Sequence, residues 1–445
     1  MGEHQSIDRA SADDVMSLVS DRDDPPLQVG AVLLLDVEPG LDAAALEGVL
    51  QRRLISVPRL RQRLVEVPVG CGRPVWVDHP GFELDDHFAT VRCAGPGNQE
   101  SVLRVAAERL TTRLPRDRPL WAATLLTGLG HGRAALILVF HHVLADGIGG
   151  LAVLGRLVDG ASPMPVSDFP RAAPSTTSVA RDAIVDRCRS VLRLPAAGRR
   201  LANAVIELGP SLRTRATPCS LNRPTGVHRQ LRTVRAELTP ILILAHQNAA
   251  TVNDVILTAI ARALHLLLAE RGEEIPAFVV SIPVSARHQA VPGRLGNQSG
   301  VVPVLLPASG AFDDRLAAVA RTTRAAKSHQ RGASTALLGP FFRVLATMGI
   351  YQRFIDHQQL IHTFVSNLKG PETAEAVLGC PITDIIPLSV ATGNVTVAFT
   401  ALSYAGSLVI TISADPDTCR DLDHLQRELQ HQLDLGLQTL AATGR

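Results

Sequence analysis

At 445 residues the chain exceeds what one hydrophobic core usually organises, so two domains are expected. An apolar fraction of 46% and a charged fraction of 19% describe an ordinary globular protein. A formal charge of +2, with 2 Trp and 2 Tyr, supplies neither the basic field nor the stacking rings of a nucleic-acid binder.

The opening from Met1 to Asp13 is polar, carries Glu3 and Asp8, and lacks the apolar stretch of a secretory signal. After Pro25-Pro26, the run Leu27, Val29, Ala31, Leu33 and Leu35 predicts a strand. Helical spacing follows over 41–53 and stops at Pro58; 75–77 reads as a strand and 100–114 as a helix. Two apolar strands, 121–127 and 134–140, are joined by a turn over 128–132. The second runs straight into His141 and His142, and a helix is expected from Gly147 to about Val158.

Residues 159–181 are rich in Pro, Ser and Ala and mark a connection. An arginine-rich stretch over 183–215 presents either a solvated face or a surface for anionic headgroups. The division is therefore placed here: an N-terminal domain over 1–180, a crossover over 181–230 and a C-terminal domain over 231–445. The second half predicts strands near 233–238, 277–281 and 301–306 and a buried helix over 251–270. An apolar, helical stretch over 336–354 is either core, the lining of an acyl-chain tunnel or a membrane-facing surface. A hairpin of strands 395–402 and 408–414 crosses a turn over 403–407, and a last helix covers 420–440. Both halves mix strands and helices, which gives an α/β class with mixed sheets.

Cys71, Cys93, Cys188, Cys219, Cys380 and Cys419 show no paired or metal-ligand spacing and read as reduced thiols of a cytoplasmic protein. No window approaches the ~20 uninterrupted apolar residues of a spanning helix, so any membrane contact is expected to be peripheral.

The segment His141-His142-Val143-Leu144-Ala145-Asp146-Gly147 carries the chemistry. Acyl transfer from a thioester to a hydroxyl needs a base of near-neutral pKa to take the alcohol proton. It also needs donors for the tetrahedral oxyanion and room for a bulky thiol. A histidine at a strand end can project its ring into a channel between domains. Gly147 lets the backbone turn and keeps that channel free of a side chain. Asp146 either orients the imidazole or pairs with an arginine to hold the loop. The competing reading is a pair of loop histidines satisfied by local hydrogen bonds. His142 and Asp146 lack a third ligand cluster, so no metal is expected.

Together with other segments, these residues resemble the bacterial wax ester synthase/acyl-CoA:diacylglycerol acyltransferase family. That family lies within the superfamily of chloramphenicol acetyltransferase and peptide-synthetase condensation domains. Ser11-Ala12-Asp13-Asp14 and Leu27-Gln28-Val29-Gly30-Ala31 look like its opening, and Pro58-Arg59-Leu60-Arg61-Gln62-Arg63-Leu64 like its first helix end. Trp76, Phe82 and His87 resemble the loop that follows, and Arg118-Pro119-Leu120-Trp121 the segment ahead of the active-site strand. Val252-Asn253-Asp254, Pro283-Val284-Ser285-Ala286-Arg287, Gly296-Asn297 and Ser366-Asn367-Leu368-Lys369-Gly370-Pro371 complete an ordered set spanning nearly the whole chain. At Leu368-Lys369 the family often has an apolar residue and then proline, a departure that bears on local loop shape.

The resemblance implies two chloramphenicol-acetyltransferase-like domains with an active-site tunnel between them. It implies an acyl-CoA-dependent O-acyltransferase that moves a long-chain fatty acyl group to diacylglycerol, giving triacylglycerol, or to long-chain alcohols, giving wax esters. By that likeness His142 is the general base, Asp146 and Gly147 shape the site, and His141 supports it. Arg287 is the arginine to test as partner of Asp146. Asn253 and Asn297 are candidate oxyanion donors or loop braces, and Ser366 and Asn367 line the tunnel or cap a turn. Acyl-CoA is a substrate and no cofactor is expected. The acceptor is a lipid alcohol, met in the cytoplasm or at the inner membrane face or a lipid-droplet surface. In the absence of a GxSxG nucleophile elbow, transfer is expected to be direct, without an acyl-enzyme. The alternatives are a condensation-type or polyketide-associated acyltransferase using a carrier-bound thioester, and a catalytically silent lipid-binding homologue.

Overall fold

Apolar runs broken by glycine and proline turns build two six-stranded mixed sheets and a two-stranded ribbon. The computed structural model describes residues 7–21, 24–37, 43–161, 168–192, 215–285, 299–329, 345 and 348–443. The first half supplies β1 (Gln28–Asp36), β2 (Gln62–Val65), β3 (Val75–Asp78), β4 (Phe88–Arg92), β5 (Trp121–Leu129) and β6 (Arg133–His141). The second supplies β7 (Gln230–Glu237), β8 (Ala277–Ser285), β9 (Ser299–Pro307), β10 (Thr363–Lys369), β11 (Ala376–Val377), β12 (Cys380–Ser389), β13 (Val397–Tyr404) and β14 (Ser407–Ala414). The first sheet runs β11-β12-β1-β6-β5-β4 and the second β7-β14-β13-β10-β8-β9, with β2 and β3 forming the ribbon.

Helices α1 (Ala12–Ser20), α2 (Ala43–Ile55), α3 (Gln99–Thr111), α4 (Gly147–Leu157) and α5 (Thr176–Leu192) belong to the first half. The Ser11 hydroxyl accepts from the Asp14 N–H while the Asp14 carboxylate accepts from the Ser11 N–H, a capping box that starts α1. The helix Val252–Glu270 starts in the same way from Thr251 and Asp254. It is long and apolar enough to cross a bilayer by length and composition. Here Val255, Ile256, Ile260, Leu264, Leu267 and Leu268 form the centre of the second core.

Several elements, the helix Phe312–His329 and β10 among them, differ from the expectations; three show why. Leu238–Gln247 is a helix where the sequence reading ends a strand and assigns nothing more. Its Pro240 lies in the first turn, where a missing N–H costs nothing. The hairpin of β13 and β14 is tighter than a five-residue turn: Tyr404 pairs with Ser407, which leaves only Ala405 and Gly406 between. Both have positive φ, 45° and 81°, as a twist-matched two-residue turn demands. The third is β12, whose Pro381 and Pro387 hide it as a strand. Pro387 is tolerated because β11 reaches only Cys380 and Pro381, so among the described residues β12 has no partner strand on that side there.

The sheets do not follow the division placed at 180 and 230. Residues 376–389 leave the second half and join the first sheet, where β12 pairs antiparallel with β1 from Val29↔Ser389 to Leu35↔Ile382. The first core accordingly includes Ile382, Ile385, Ile386 and Leu388, and extends to Leu231, Leu402, Tyr404 and Val409 of the second sheet. Arg235 of β7 also pairs with Asp384 of β12 at 2.7 Å. The two sheets therefore meet along β12. Arg287, Asn297 and most of the stretches 183–215 and 336–354 lie outside the described residues.

Candidate active site

His142 sits just beyond the end of β6, in the first sheet. Its backbone N–H donates to Leu27 O at 3.0 Å, and the N–H of His141 to Leu120 O at 3.0 Å, so the strand end is gripped from both sides. Leu120 and Trp121 are buried, and Trp121 Nε1 donates to Leu60 O at 2.7 Å. His87 lies between Phe82 and Trp121, with ring centroids 5.3 and 4.8 Å apart. The Pro-Leu-Trp segment thus braces the strand that presents His142.

His141 turns away from the cavity and anchors the loop. Its Nδ1 accepts from the Val143 N–H at 3.0 Å, so the ring proton is on Nε2, which donates to Asp21 Oδ2 at 3.0 Å. Arg113, Arg116 and the Leu27 N–H also donate to the Asp21 carboxylate. Burial works to raise the pKa of Asp21, but the hydrogen bonds from His141 and Arg116 outweigh it and hold the carboxyl well below the usual range. Asp21 carries no motif around it, and sequence reading passed it over.

Asp146 is the N-cap of α4: its Oδ1 accepts from the Gly149 N–H at 2.8 Å, and its carbonyl accepts from Gly150. It is buried, and its charge acts on His142. Burial pushes the pKa of His142 down, while Asp146, a hydrogen bond from the ring to its own backbone, and Asp14 push it up; the imidazole stays below its ordinary value. A neutral ring flanked by carboxylates can accept a proton and have the resulting cation stabilised.

A cavity of about 140 Å³ opens beside His142. From the first half it takes Gly30 and Ala31 of β1, Phe140, His142, Asp146, Gly147 and Leu151. Ser366 and Leu368 of β10 and Thr400 and Leu402 of β13 form the opposite wall, and Pro387, Leu388 and Ser389 of β12 lie along the seam. The hydroxyls of Ser389 and Thr400 hydrogen-bond each other. Neither residue stands in a motif; both arrive through sheet pairing. Gly147 abuts the second half so closely that a Cβ there would lie 2.7 Å from Leu368 Cδ2.

Of the site residues expected from the sequence, the structure brings His142, Asp146, Gly147 and Ser366 to one cavity. Asn367 alternates to the other face of β10, opposite Ala401. Asn253 is half-buried in the first turn of its helix and does not line the cavity. Its neighbour Asp254 instead accepts from Thr323 Oγ1 at 2.6 Å and braces the helix. Among the described residues no group of three or more His, Cys, Asp or Glu is arranged to hold a metal.

Comparison with known families decides the relationship. Residues 11–256 match the wax ester synthase/diacylglycerol acyltransferase catalytic domain, and residues 295–435 match the C-terminal domain of the same family. The chain belongs to the wax ester synthase/diacylglycerol acyltransferase family. It is thereby an acyltransferase. A probable diacylglycerol O-acyltransferase of Mycobacterium tuberculosis, tgs1, is 28% identical over 424 residues, covering 91% of this chain and 90% of that protein. The wax ester synthase/diacylglycerol acyltransferase of Marinobacter aquaeolei shares the fold, with a TM-score of 0.69 at 20% identity over 97% of this chain and 99% of that one. The starter condensation domain of rhizomide synthetase, solved in complex with C8-CoA, superposes with a TM-score of 0.65 at 16% identity over 97% of this chain and 95% of that one. The two-domain chloramphenicol-acetyltransferase-like fold is common to both neighbours and to this family member.

Proposed function

We propose that this acyltransferase moves a long-chain fatty acyl group from acyl-CoA to diacylglycerol, forming triacylglycerol, and to long-chain alcohols, forming wax esters, with His142 as general base. The observation that carries this reading is the placement of His142 and Asp146 opposite Ser366 and Thr400 in one largely apolar cavity at the meeting of the two sheets. The family match and the curated relatives named for diacylglycerol acylation supply the substrate classes.

The acceptor hydroxyl hydrogen-bonds His142 and passes it the proton as its oxygen attacks the thioester carbonyl carbon. The tetrahedral oxyanion meets the hydroxyl wall of Ser366 and Thr400. The carbon–sulfur bond then breaks, and the proton moves from His142 to the departing CoA sulfur, giving ester and free thiol. No acyl-enzyme intervenes. Asp146, with Gly147 behind it, fixes the loop and offsets the imidazolium charge. The lipid acceptors reside in membranes or droplets, so the enzyme works peripherally at such a surface; exposed Met348 and Ile350 support that contact.

The test is transfer from palmitoyl-CoA to diacylglycerol or hexadecanol by the wild type and by His142→Ala. Loss of a general base costs about 10²–10⁴-fold in kcat. Turnover that survives the substitution essentially unchanged would refute the base assignment. Transfer only from a carrier-bound thioester would refute the donor.

A further inference from the structure

One wall of the cavity is a face of the second sheet, and that face changes character along its strands. Ser366 of β10 stands opposite Thr400 of β13, Thr400 opposite Thr411 of β14, and Thr411 opposite Thr233 of β7. Residues paired across strands share a face, so neighbouring strands present one row of hydroxyls. The row starts in the cavity at Ser366 and Thr400. Ser413 lies two residues along β14 from Thr411 and adds another hydroxyl to the same face. On the other side of the row the same strands carry Leu402 and Val409, which are packed into the first core. β12 lies across β13 and β14 above the row. The hydroxyls differ in what they bond. Thr400 bonds the Ser389 hydroxyl, and Thr233 Oγ1 accepts from Gln99 Nε2 at 2.5 Å and from Arg235 Nη1 at 2.9 Å. Thr411 and Ser413, each 1% exposed, have hydroxyls with no hydrogen-bond partner among the described residues.

Valine at 411 would fill the place without burying a polar group, as Val409 does two residues earlier on the same strand. A buried hydroxyl that no protein group satisfies is costly, and in native proteins such groups are served by ordered water. The cavity that the row enters, at about 140 Å³, is roomier than the ~10–15 Å³ that one water needs. Its other polar groups are the hydroxyls of Ser366 and Ser389, the carboxylate of Asp146 and the imidazole of His142. Water held by Thr411 and Ser413 therefore lies on the face that leads to the base. We propose that this row holds ordered water and that, with no lipid alcohol bound, a water takes the acceptor's place at His142, which makes the enzyme an acyl-CoA hydrolase as well as a transferase. The water oxygen attacks the thioester carbonyl carbon as its proton passes to His142. The carbon–sulfur bond breaks and the proton moves on to the CoA sulfur, leaving fatty acid and free thiol. This inference rests on the acyl transfer proposed above, because it uses the same base and the same donor.

The experiment follows release of CoA thiol from palmitoyl-CoA in water labelled with heavy oxygen, first alone and then with hexadecanol, whose ester is measured separately. Wild type is compared with Thr411→Val, Ser413→Ala and His142→Ala. Wild type is expected to release thiol without the alcohol and to place the labelled oxygen in palmitate; His142→Ala is expected to lose this release. Rising hexadecanol should suppress formation of the acid, as the acceptor displaces the water. Thr411→Val and Ser413→Ala are each expected to slow hydrolysis about tenfold, the loss of one bond that holds the attacking water, while ester formation keeps pace with wild type. Either variant carries the test if the other fails to fold. A wild type that makes ester but releases no thiol above the rate without enzyme overturns the hydrolase and leaves the transferase standing. Hydrolysis unchanged in the folded variants overturns the hydroxyl row as the holder of the water. A parallel fall of hydrolysis and ester formation overturns it too, since the hydroxyls would then serve the shared chemistry. Wild-type inactivity in both reactions overturns the proposed function itself, and this inference with it.

Discussion

The imidazole of His142 is kept neutral by burial, against the pull of Asp146 and Asp14. Because its pKa is lowered, the base form persists to lower pH than for a free histidine. The acid limb of kcat/KM therefore falls below about pH 6.5, the ordinary histidine value. Asp146→Asn removes a charge that favours the protonated ring, so it lowers that pKa further. The pH–rate profile of this variant is expected to shift its acid limb to still lower pH while kcat drops, because the cation formed in the transition state loses its partner. A limb that moves upward would contradict the arrangement. The sequence carried much of this site, because His142, Asp146 and Gly147 lie within one short motif. It did not carry Ser389 or Thr400, whose meeting depends on strands far apart in the chain, nor Asp21, whose role is visible only through the ring of His141.

At the scale of elements, the start of α4 is a contact between the halves. A Cβ on Gly147 would lie 2.7–2.8 Å from both Leu368 Cδ atoms, so Gly147→Ala must push Leu368 into the cavity or part the two sheets. Overpacking of this kind costs about 1–3 kcal/mol, read as a lower midpoint in urea unfolding together with reduced turnover. Adding Leu368→Ala removes the obstructing atoms and is expected to recover much of the lost turnover; no recovery would place the cause elsewhere. Gly30, in the centre of the first sheet, has no such escape, since a Cβ there meets the backbone oxygen of Leu138. Strands with clean apolar runs, such as β5 and β6, were legible because periodicity and turn residues agree. The prolines of β12 kept it from being read as a strand at all. The helix Leu238–Gln247 was missed because a dense Ile and Leu run has no polar face to reveal its period.

For the whole molecule, two domains were readable from length and from the mixture of elements, but chain order was a poor guide to which strands share a sheet. With β12 inserted beside β1 and packed against the second sheet, the halves are expected to unfold together. Calorimetry should show one transition whose calorimetric and van't Hoff enthalpies agree, and two resolved transitions would show the halves to be independent.

The place of β12 also orders events during synthesis. Thr383 Oγ1 donates to Leu34 O across 349 positions of sequence. A chain emerging from the ribosome has β1 in hand early and must wait some hundreds of residues for β12 before that edge is filled. The cavity beside His142, which needs Pro387, Leu388 and Ser389, is closed only then. A nascent or prematurely ended chain therefore presents the histidine motif without a finished chamber around it until β12 has been made.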